Sequence, residues 1–281
     1  MKKVCLVLEG GSLRGIYTAG VLDAFMDENI KVDAIIGVSA GALFGVNYPS
    51  KQPGRALRYN LENVKNKDYI SISSLIRTGN VVNKDFCFNK LVYETDPFDF
   101  KKFNNSPVKF YATVTNVETG EAEYIEIKDS EKDMEYLRAS GAMPLLSEIV
   151  EINGKKYLDG GVADSIPLKK AQEMGYDKII VVTTRPKEYI KKKYKMTPFK
   201  IKYKKYKNFI KTLENRHIVY NNTTKYIKEE ELKNNIFVIR PSRKIKISKL
   251  EKNPDIIKEQ YHLGYFDTMN KIKELKEYIK E

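Results

Sequence analysis

The feature that most constrains the fold is a strand–turn–helix pattern that occurs twice within the first 46 residues. Lys3–Glu9 is a short apolar run that ends at two glycines, and Arg14–Asn29 then repeats apolar side chains at helical spacing. Val32–Ile36 is a second short run of β-branched residues, and the small, apolar segment Gly37–Val46 follows it. Strands and helices that alternate in this way predict a βαβ unit, with a parallel sheet and a right-handed crossover.

Later segments extend this pattern. Asn153-Gly154 predicts a hairpin, because this dipeptide strongly favours a two-residue turn between antiparallel strands. Further strands are predicted at Val108–Val117, Glu123–Ile127, Glu148–Ile152, Lys155–Leu158, Lys178–Thr184 and Ile236–Arg240. Helices are predicted at Glu131–Ser140, from Ile166-Pro167 to Gly175, and from Asn253-Pro254 onwards. We therefore expect an α/β fold of three layers, α/β/α, with a mostly parallel central sheet.

Charge is divided unevenly along the chain. Residues 1–186 carry 24 basic and 25 acidic side chains, whereas residues 187–281 carry 26 basic and 12 acidic ones. The first part is typical of an enzyme body, and the second is typical of a segment that meets an anionic surface, either membrane or nucleic acid. No linker separates them, so we expect a single domain over residues 1–281, with a catalytic core at about 1–185 and a basic C-terminal part at about 186–281.

The basic part contains a segment that predicts an amphipathic helix. Between Lys187 and Leu213 there are eleven lysines and one acidic residue, and Thr197-Pro198 is typical of a helix start. One face carries apolar side chains and is surrounded by lysines: Phe199, Tyr203, Tyr206, Ile210 and Leu213, with Lys200, Lys202, Lys204, Lys205, Lys207 and Lys211. We expect the aromatic edge to enter the head-group zone of an anionic membrane, although such a run is as often a solvated face.

Composition excludes several kinds of site and of targeting. Two cysteines, Cys5 and Cys87, cannot form a disulfide framework or a four-ligand zinc site, and two histidines argue against a metal centre. The apolar run near the amino terminus is too short for a signal peptide, and the longest uncharged stretch, Ala34–Ser50, is interrupted by glycines and a proline. We therefore expect no cofactor, and a cytoplasmic protein that meets the inner face of the membrane peripherally.

The first glycine-rich turn reads Gly10-Gly11-Ser12-Leu13-Arg14-Gly15. A dinucleotide-binding fingerprint would need glycine at position 12, and a phosphate-binding P-loop would need lysine after Gly15, so both nucleotide interpretations fail. A strand-to-helix turn of this kind can hold an anion through its exposed N–H groups, with help from Arg14. The alternative is a tight turn without a binding role.

The second turn reads Gly37-Val38-Ser39-Ala40-Gly41, which matches the nucleophile elbow G-x-S-x-G between a strand and a helix. Glycines allow the strand to turn sharply and hold the Ser39 hydroxyl exposed at the helix amino terminus. That position favours the negative charge that develops on an alkoxide or a tetrahedral oxyanion. Ser39 is therefore a candidate nucleophile.

A serine nucleophile needs a base, and the sequence offers three candidates. His217 and His262 both fall on predicted helices beside apolar stripes, where a packed histidine is the usual interpretation. Asp159 follows the second strand of the hairpin and precedes Gly160-Gly161, so it falls at a strand end. An Asp-Gly-Gly triplet alone is most often a turn, and the choice between an aspartate and a histidine base stays open at this point.

Together these pieces resemble the patatin-like phospholipases, which are bacterial acyl hydrolases related to patatin and cytosolic phospholipase. The resemblance spans about Val4 to Thr184 and is carried by the glycine turn with its arginine, by G-x-S-x-G and by Asp159-Gly160-Gly161. It includes the helix Gly20–Phe25 and the segment Arg138–Pro144. Past Thr184 the resemblance is weak, and the family does not predict the lysine-rich segment.

The resemblance implies a patatin-like fold and a Ser–Asp dyad without histidine, which suits a chain with two histidines. Ser39 would be the nucleophile and Asp159 its base. The N–H groups of the first turn would form the oxyanion hole and contact the substrate, and four glycines would support the motifs: Gly10, Gly11, Ser12, Leu13, Arg14 and Gly15, with Gly37, Gly41, Gly160 and Gly161. Ser12 departs from the glycine that many members carry there, which puts the dihedral angles of the loop in doubt.

The expected function is hydrolysis of fatty-acyl esters of phospholipids or lysophospholipids through an acyl-enzyme intermediate. The expected partners are a lipid substrate and an anionic membrane surface, with no nucleic acid. Two alternatives remain from the sequence: a Ser–His–Asp esterase that uses His217 or His262, and a non-enzymatic binder of anionic surfaces or nucleic acid.

Overall fold

Residues 2–280 are described by the computed structural model, and eight of their strands form one sheet. The strands are β1 (Val4–Leu8), β2 (Ala34–Val38), β3 (Lys109–Asn116), β4 (Ala122–Glu126), β5 (Val150–Ile152), β6 (Lys155–Asp159), β7 (Lys178–Val182) and β8 (Phe237–Ile239). Their order is β5-β6-β3-β2-β1-β7-β8, and β4 pairs with β3. Strands β3, β2, β1, β7 and β8 run parallel to one another, whereas β4 and β6 are antiparallel to β3 and β5 is antiparallel to β6.

Eleven α-helices connect and cover the strands of residues 2–280. They are α1 (Ile16–Asp27), α2 (Ala40–Gly45), α3 (Arg55–Glu62), α4 (Ile72–Thr78), α5 (Phe100–Asn104), α6 (Met134–Ser140), α7 (Leu168–Glu173), α8 (Thr197–Lys202), α9 (Lys207–Leu232), α10 (Pro254–Asn270) and α11 (Ile272–Lys280). Short 3-10 turns occupy Ser12–Gly15 and Gly160–Val162, and Phe86–Thr95 is a π-helix.

The sheet is buried on both faces, as the run of apolar residues in β1 requires. Leu6 and Leu8 face a core cluster that includes Tyr17 of α1, together with Leu275 of α11. The alternate residues of β1 face a second cluster, which α7 and α9 complete. Helices therefore cover both faces of a largely parallel sheet, and the predicted three-layer α/β/α fold is confirmed.

Strand β3 bonds to three other strands, and this arrangement has a consequence for the site. Its Lys109 N–H donates to the carbonyl oxygen of Asp33, the residue before β2. The N–H of Val117, the residue after β3, donates to the carbonyl oxygen of Lys156 in β6. These two N–H groups are an even number of residues apart, so they point to the same edge of β3. Strands β2 and β6 therefore lie end to end along one edge, and β4 occupies the other edge.

Helices α1 and α10 cross with their backbones in contact. A Cβ atom on Gly20 would lie 2.1 Å from the Tyr261 carbonyl oxygen, and one on Gly264 would lie 2.0 Å from the Tyr17 carbonyl oxygen. Only glycine allows this approach at both positions. The contact fixes α10 against the helix that follows the first glycine turn, and Gln260 Nε2 donates to the Arg14 carbonyl oxygen at 3.3 Å.

Every strand predicted from the sequence is present, with ends that differ by a few residues at most. The segment between α2 and β3 carried no prediction, and it contains α3, α4, the π-helix and α5. This segment packs its own apolar side chains against α1 and α2, including Tyr59 and Leu91. Its short helices lack a sustained apolar period, so the sequence signal for them is weak.

The prediction of one basic amphipathic helix that begins at Thr197 is wrong. The chain forms α8, leaves the helical path at Tyr203–Tyr206, and begins the longer α9 at Lys207. Tyr203 and Leu213 are buried in a cluster with α6 and the β5–β6 hairpin, so the apolar face packs against the protein core and is not free to enter a head-group zone. The lysines on the opposite face are exposed.

The predicted C-terminal helix is also divided. Its apolar stripe continues from α10 into α11, but the helical path breaks at Lys271. Tyr278 of α11 is buried, and its hydroxyl donates to the carbonyl oxygens of Ile179 and Asn235 near the strands β7 and β8. Within residues 2–280, no helix has the length and apolar character needed to cross a bilayer.

The contact between α1 and α10 predicts that Gly264→Ala lowers the free energy of unfolding by about 3 kcal/mol or more, because a methyl group cannot fit against a backbone oxygen. Chemical denaturation measures this loss. Gly175→Ala is the matched control, since Gly175 has a φ of 73° and open space around its Cβ position. It should lose only about 1 kcal/mol, the usual effect of a left-handed backbone angle. Equal losses would show that the helix contact is not tightly packed.

Candidate active site

Ser39 lies at the sharp turn between β2 and α2, with φ 53° and ψ −121°. A residue other than glycine rarely adopts this conformation, so the turn is strained. The neighbouring glycines allow it. A Cβ on Gly41 would lie 2.5 Å from the Leu8 carbonyl oxygen, and a Cβ on Gly37 would lie 2.6 Å from Ala42 Cα. The two glycines of the G-x-S-x-G motif are therefore required by close backbone contacts.

The Ser39 hydroxyl donates a hydrogen bond to Asp159 Oδ2 at 2.7 Å. Its backbone N–H donates to the Ser140 hydroxyl at 2.9 Å, and that hydroxyl in turn donates to the Thr113 carbonyl oxygen at 2.7 Å. Ser140 thus ties the strained turn to β3. Ser39 and Asp159 are both buried, with 6% and 7% of their surface exposed.

The end-to-end arrangement of β2 and β6 brings these two residues together. Val38, the last residue of β2, pairs with Thr113, and Asp159, the last residue of β6, pairs with the next residue of β3, Val114. The two strands run toward each other, so the residues at their carboxyl ends meet. Gly160 continues the chain so close to β3 that a Cβ there would lie 2.1 Å from the Thr113 carbonyl oxygen.

The Asp159 carboxylate is held from both sides. Its Oδ1 accepts the Gly161 N–H at 2.8 Å, while Oδ2 accepts the Ser39 hydroxyl. Arg216 of α9 donates through Nε to the Gly161 carbonyl oxygen. Burial raises the pKa of Asp159 above its usual range, and the Ser39 hydrogen bond and the Arg216 charge oppose that rise in part. A carboxylate with a raised pKa is a stronger proton acceptor than an ordinary one.

The first glycine turn lies against Ser39. A Cβ on Gly10 would lie 3.1 Å from Ser39 Cβ. The Gly10 and Arg14 N–H groups donate to the Ser165 and Gly11 carbonyl oxygens, so they are already engaged. Within residues 2–280, no hydrogen bond uses the N–H groups of Gly11 or Ser12. These two N–H groups, unlike those of Gly10 and Arg14, bond to no described residue.

The other residues of this turn have packing roles. Ser12 has a φ of 50°, and its hydroxyl donates to Met143 Sδ at 3.3 Å, which shows how serine is accommodated where glycine was the expected residue. Leu13 is buried in the cluster that contains Phe44. A Cβ on Gly15 would lie 2.6 Å from Ala40 Cβ, so Gly15 allows the turn to pack against α2.

Two cavities meet at Ser39. One has a volume of about 130 Å³ and a predominantly apolar wall, formed by residues that include Leu43, Phe44, Leu91, Phe98 and Leu137. The other has a volume of about 620 Å³, contains Asp159 and the first glycine turn, and has a wall rich in basic side chains. Ser12, Ser39, Met143 and Lys249 belong to both walls.

Neither histidine lines these two cavities. His217 lies on α9, where its Nδ1 is buried and bonds to no described residue. His262 lies on α10 against the rings of Tyr261 and Phe266, at centroid distances of 5.4 and 6.2 Å. Residues 2–280 contain no cluster of three or more histidine, cysteine, aspartate or glutamate side chains that could bind a metal ion.

Sequence reasoning did not identify three residues that this geometry brings to the site. Ser140 belongs to the segment that helps to carry the family resemblance, and membership of that segment is the sequence signal that could have identified it. Arg216 and Lys191, which both line the larger cavity, belong to the basic C-terminal part, where the sequence shows only an excess of positive charge. More than 50 residues separate Arg216 from Asp159 in the sequence, so no local pattern could link them.

Comparison with known proteins gives two family matches. The model of the patatin-like phospholipase family matches residues 6–171, and the model of a domain of unknown function, DUF6363, matches residues 206–280. The uncharacterized protein YjjU of Escherichia coli K12 is 26% identical over 269 residues, which cover 93% of this chain and 75% of that protein.

Two fungal relatives and one solved structure are also similar. The lysophospholipases NTE1 of Coccidioides immitis and Cryptococcus neoformans are 28% and 29% identical over 195 and 208 residues. These alignments cover 64% and 67% of this chain but only 11% and 12% of the fungal proteins. The crystal structure of VipD from Legionella pneumophila aligns with a TM-score of 0.46 and 14% identity, over 96% of this chain and 66% of that one.

The contacts of Asp159 predict how the reactivity of Ser39 depends on pH. The rate at which a fluorophosphonate labels Ser39 should fall as the pH drops through the pKa of Asp159, which burial raises above the usual range. Arg216→Met removes a charge that lowers this pKa, so the midpoint should move to higher pH. Arg216→Lys keeps the charge and should move it less. A midpoint that stays in place or moves to lower pH in Arg216→Met would contradict this account.

Proposed function

The chain belongs to the patatin-like phospholipase family, and we propose that it hydrolyses fatty-acyl esters of phospholipids or lysophospholipids through Ser39 and Asp159. The observation that carries the proposal is the 2.7 Å hydrogen bond from the Ser39 hydroxyl to Asp159, at the mouth of an apolar cavity. The fungal relatives that are named lysophospholipases support the lipid substrate class.

In the first step, Asp159 accepts the proton of the Ser39 hydroxyl while the oxygen attacks the ester carbonyl carbon. The hydrogen bond already aligns the proton with its acceptor, and the raised pKa of Asp159 favours the transfer. The Gly161 N–H keeps the carboxylate in place, and Arg216 in turn holds Gly161 through its carbonyl oxygen. No histidine is needed in this route.

The tetrahedral intermediate places negative charge on the former carbonyl oxygen. The free N–H groups of Gly11 and Ser12 are the donors for this oxyanion, and the amino terminus of α2 adds a favourable dipole. When the intermediate collapses, the alcohol leaves with the proton from Asp159 and an acyl-enzyme remains on Ser39. Asp159 then takes a proton from a water molecule whose oxygen attacks the acyl carbon. When this second tetrahedral intermediate collapses, the bond to Ser39 Oγ breaks, the proton returns from Asp159 to Oγ, and the fatty acid is released.

The apolar cavity is proposed to hold the acyl chain. Its wall is formed by α2, the π-helix and α6, and Phe98 and Leu137 are among its buried members. Burial of each methylene group of a chain there contributes about 0.8 kcal/mol, so a long-chain ester should bind more tightly than a short one. The narrow volume of about 130 Å³ accommodates the first part of a single chain, which favours a lysophospholipid over a lipid with two chains.

We propose that residues 1–281 act as a single domain. Strand β8 pairs with β7 in the central sheet, and α10 packs against α1 through the glycine contact. The segment matched by the domain of unknown function therefore contributes to the same core as the catalytic part. Its helix α9 also supplies Arg216 to the site.

Variants of the two central residues test the mechanism. Ser39→Ala should leave less than about 1% of wild-type hydrolysis of a long-chain ester, because it removes only the nucleophile. Asp159→Asn should lower kcat by about 10²–10⁴-fold, the usual contribution of a general base.

His217→Ala and His262→Ala are the controls, and both should keep most of the activity per folded molecule. A loss in either histidine variant as large as that in Ser39→Ala would replace the dyad by a Ser–His–Asp triad. Activity of Ser39→Ala above the stated level would overturn the assignment of the nucleophile.

We further propose that the exposed lysines of α8 and the following turn bring the enzyme to anionic membranes. Lys202, Lys204, Lys205 and Lys207 are exposed on the side opposite the buried Tyr203. Ile190 and Ile201 are 72% and 70% exposed in the same part of the chain, and Ile190 lies at the mouth of the basic cavity. Each lysine near an anionic leaflet contributes about 1 kcal/mol, and exposed isoleucines add apolar contact.

Changing Lys202, Lys204, Lys205 and Lys207 to glutamate should weaken binding to anionic vesicles by about tenfold or more, because four attractive charges become repulsive. The matched control changes Lys31, Lys51, Lys101 and Lys109, which are exposed elsewhere, and should bind like the wild type. Vesicle co-sedimentation at low and high salt measures this, with a short soluble ester to follow the active site. Equal binding by both variants at both salt concentrations would show that the lysines are only solvated.

A further inference from the structure

The basic cavity beside Ser39 is not explained by ester hydrolysis alone. Seven basic and two acidic side chains lie in its wall: Arg14, Arg185, Lys191, Lys192, Lys193, Arg216 and Lys249, with Glu9 and Asp159. Most of these basic residues come from the segment between β7 and α9, together with α9 itself. The cavity is large, at about 620 Å³, and it opens directly onto the Ser39 hydroxyl.

The two carboxylates in this wall are already engaged by neutral donors. Glu9 accepts the Thr184 N–H at 2.5 Å and the Tyr220 hydroxyl at 2.7 Å. Asp159 accepts the Ser39 hydroxyl and the Gly161 N–H. Among residues 2–280, no carboxylate lies within 4.0 Å of the charged groups of Arg14, Arg185, Lys191 or Arg216. Four inward basic side chains therefore have no carboxylate at salt-bridge distance in the part of the chain that the structure describes.

These cations are held in fixed places by aromatic side chains. Lys191 Nζ lies 3.8 Å from the centre of the Tyr220 ring, and the Arg185 guanidinium lies 4.2 Å from that of Tyr189. Arg216 donates to the Tyr194 hydroxyl as well as to the Gly161 carbonyl oxygen. Such contacts position the positive charges without neutralising them. A ligand would meet a site that is already organised.

Burial and mutual repulsion make the empty cavity unfavourable for these charges. Burial, with the nearby charge of Arg216 as the second cause, lowers the pKa of Lys191 to about 6. Burial also lowers the pKa of Arg14, with the charge of Arg185 as a second cause. The Arg14 Nε is buried and bonds to no described acceptor. An anion in the cavity would relieve both effects.

We propose that this cavity binds the phosphate of a head group with net negative charge, and that the enzyme therefore prefers anionic lysophospholipids to choline-containing ones. This inference rests on the proposed function. Ser12, Ser39 and Met143 belong to both cavities, so an ester carbonyl at Ser39 would have its acyl chain on one side and its glycerol phosphate on the other. Arginine binds phosphate oxygens in pairs, whereas a quaternary ammonium group would be repelled by the same wall.

The kinetic test compares two substrates with the same acyl chain, lysophosphatidic acid and lysophosphatidylcholine. For the wild type, kcat/KM should be at least about tenfold higher for the anionic lipid. The double variant Arg185→Gln, Lys191→Gln removes one inward charge and one basic group that gains its charge as the anion binds, and the ratio of the two kcat/KM values should fall to about one. The matched control, Lys31→Gln with Lys109→Gln, removes two exposed charges outside the cavity and should keep the wild-type ratio.

A binding test does not depend on turnover. Glycerol 3-phosphate is titrated by calorimetry into Ser39→Ala at pH 8, in two buffers with different ionisation enthalpies. Lys191, with a pKa of about 6 in the empty cavity, is neutral at this pH and should take up a proton as the anion binds. The further change Lys191→Gln should abolish this proton uptake. Glycerophosphocholine should bind at least about tenfold more weakly than glycerol 3-phosphate.

The outcomes separate this inference from the proposed function. Equal kcat/KM values for the two lipids in the wild type, or a preference that survives in the double variant, would overturn the head-group site while leaving the hydrolase intact. Hydrolysis of neither lipid would contradict the proposed function, and the calorimetric test would then decide the phosphate site alone. The last titration uses inorganic phosphate. If inorganic phosphate binds as tightly as glycerol 3-phosphate and the enzyme has equal kcat/KM values for the two lipids, the cavity is a site for free anions and the proposal fails.

Discussion

The arrangement of β2 and β6 along a single edge of β3 is the constraint on which the site depends. Each strand ends at the point where it meets the other, and this places Ser39 and Asp159 within one hydrogen bond although 120 residues separate them in the chain. The meeting is possible because glycines lie on both sides of it: Gly41 and Gly160 each approach a carbonyl oxygen more closely than a Cβ atom could. Close backbone packing thus provides the short distance that the proposed proton transfer requires.

The C-terminal part takes part in this geometry and is not an appendage. Helix α10 holds α1 through two glycines, and α1 begins directly after the 3-10 turn that lies against Ser39. Helix α9 brings Arg216 to the Gly161 carbonyl oxygen and Tyr220 to Glu9. The catalytic motifs lie before residue 171, within the patatin-like match, but their side chains are fixed in part by residues of the segment 206–280.

Much of the fold follows from the sequence, because local patterns carry it. The strands are short apolar runs. Ser39 and Asp159 lie in short motifs whose glycines are typical of turns. The positions of Arg216 and Lys191 depend on tertiary packing between distant segments, and a count of charges cannot reveal it. The lysine-rich segment shows the limit most clearly: Tyr203 and Leu213 read as one free apolar face, yet they fill a gap beside the β5–β6 hairpin. Periodicity indicates that a face is apolar, and it does not indicate what covers that face.

The excess positive charge of the last third divides into two groups with different physical settings. The lysines of α8 and the following turn project into solvent, where salt screens a charge beyond about 10 Å at ordinary ionic strength. Lys191 and Arg216 lie in a cavity wall beside Arg14 of the first glycine turn, where screening is weak and desolvation is strong. The first group can attract a charged surface from a distance but cannot distinguish one anionic lipid from another. The second group acts only on a molecule that has entered the cavity, and there the placement of each charge can select a head group. A net charge counted from the sequence does not distinguish these two effects. They can be told apart only when the fold shows which charges are exposed and which line the cavity.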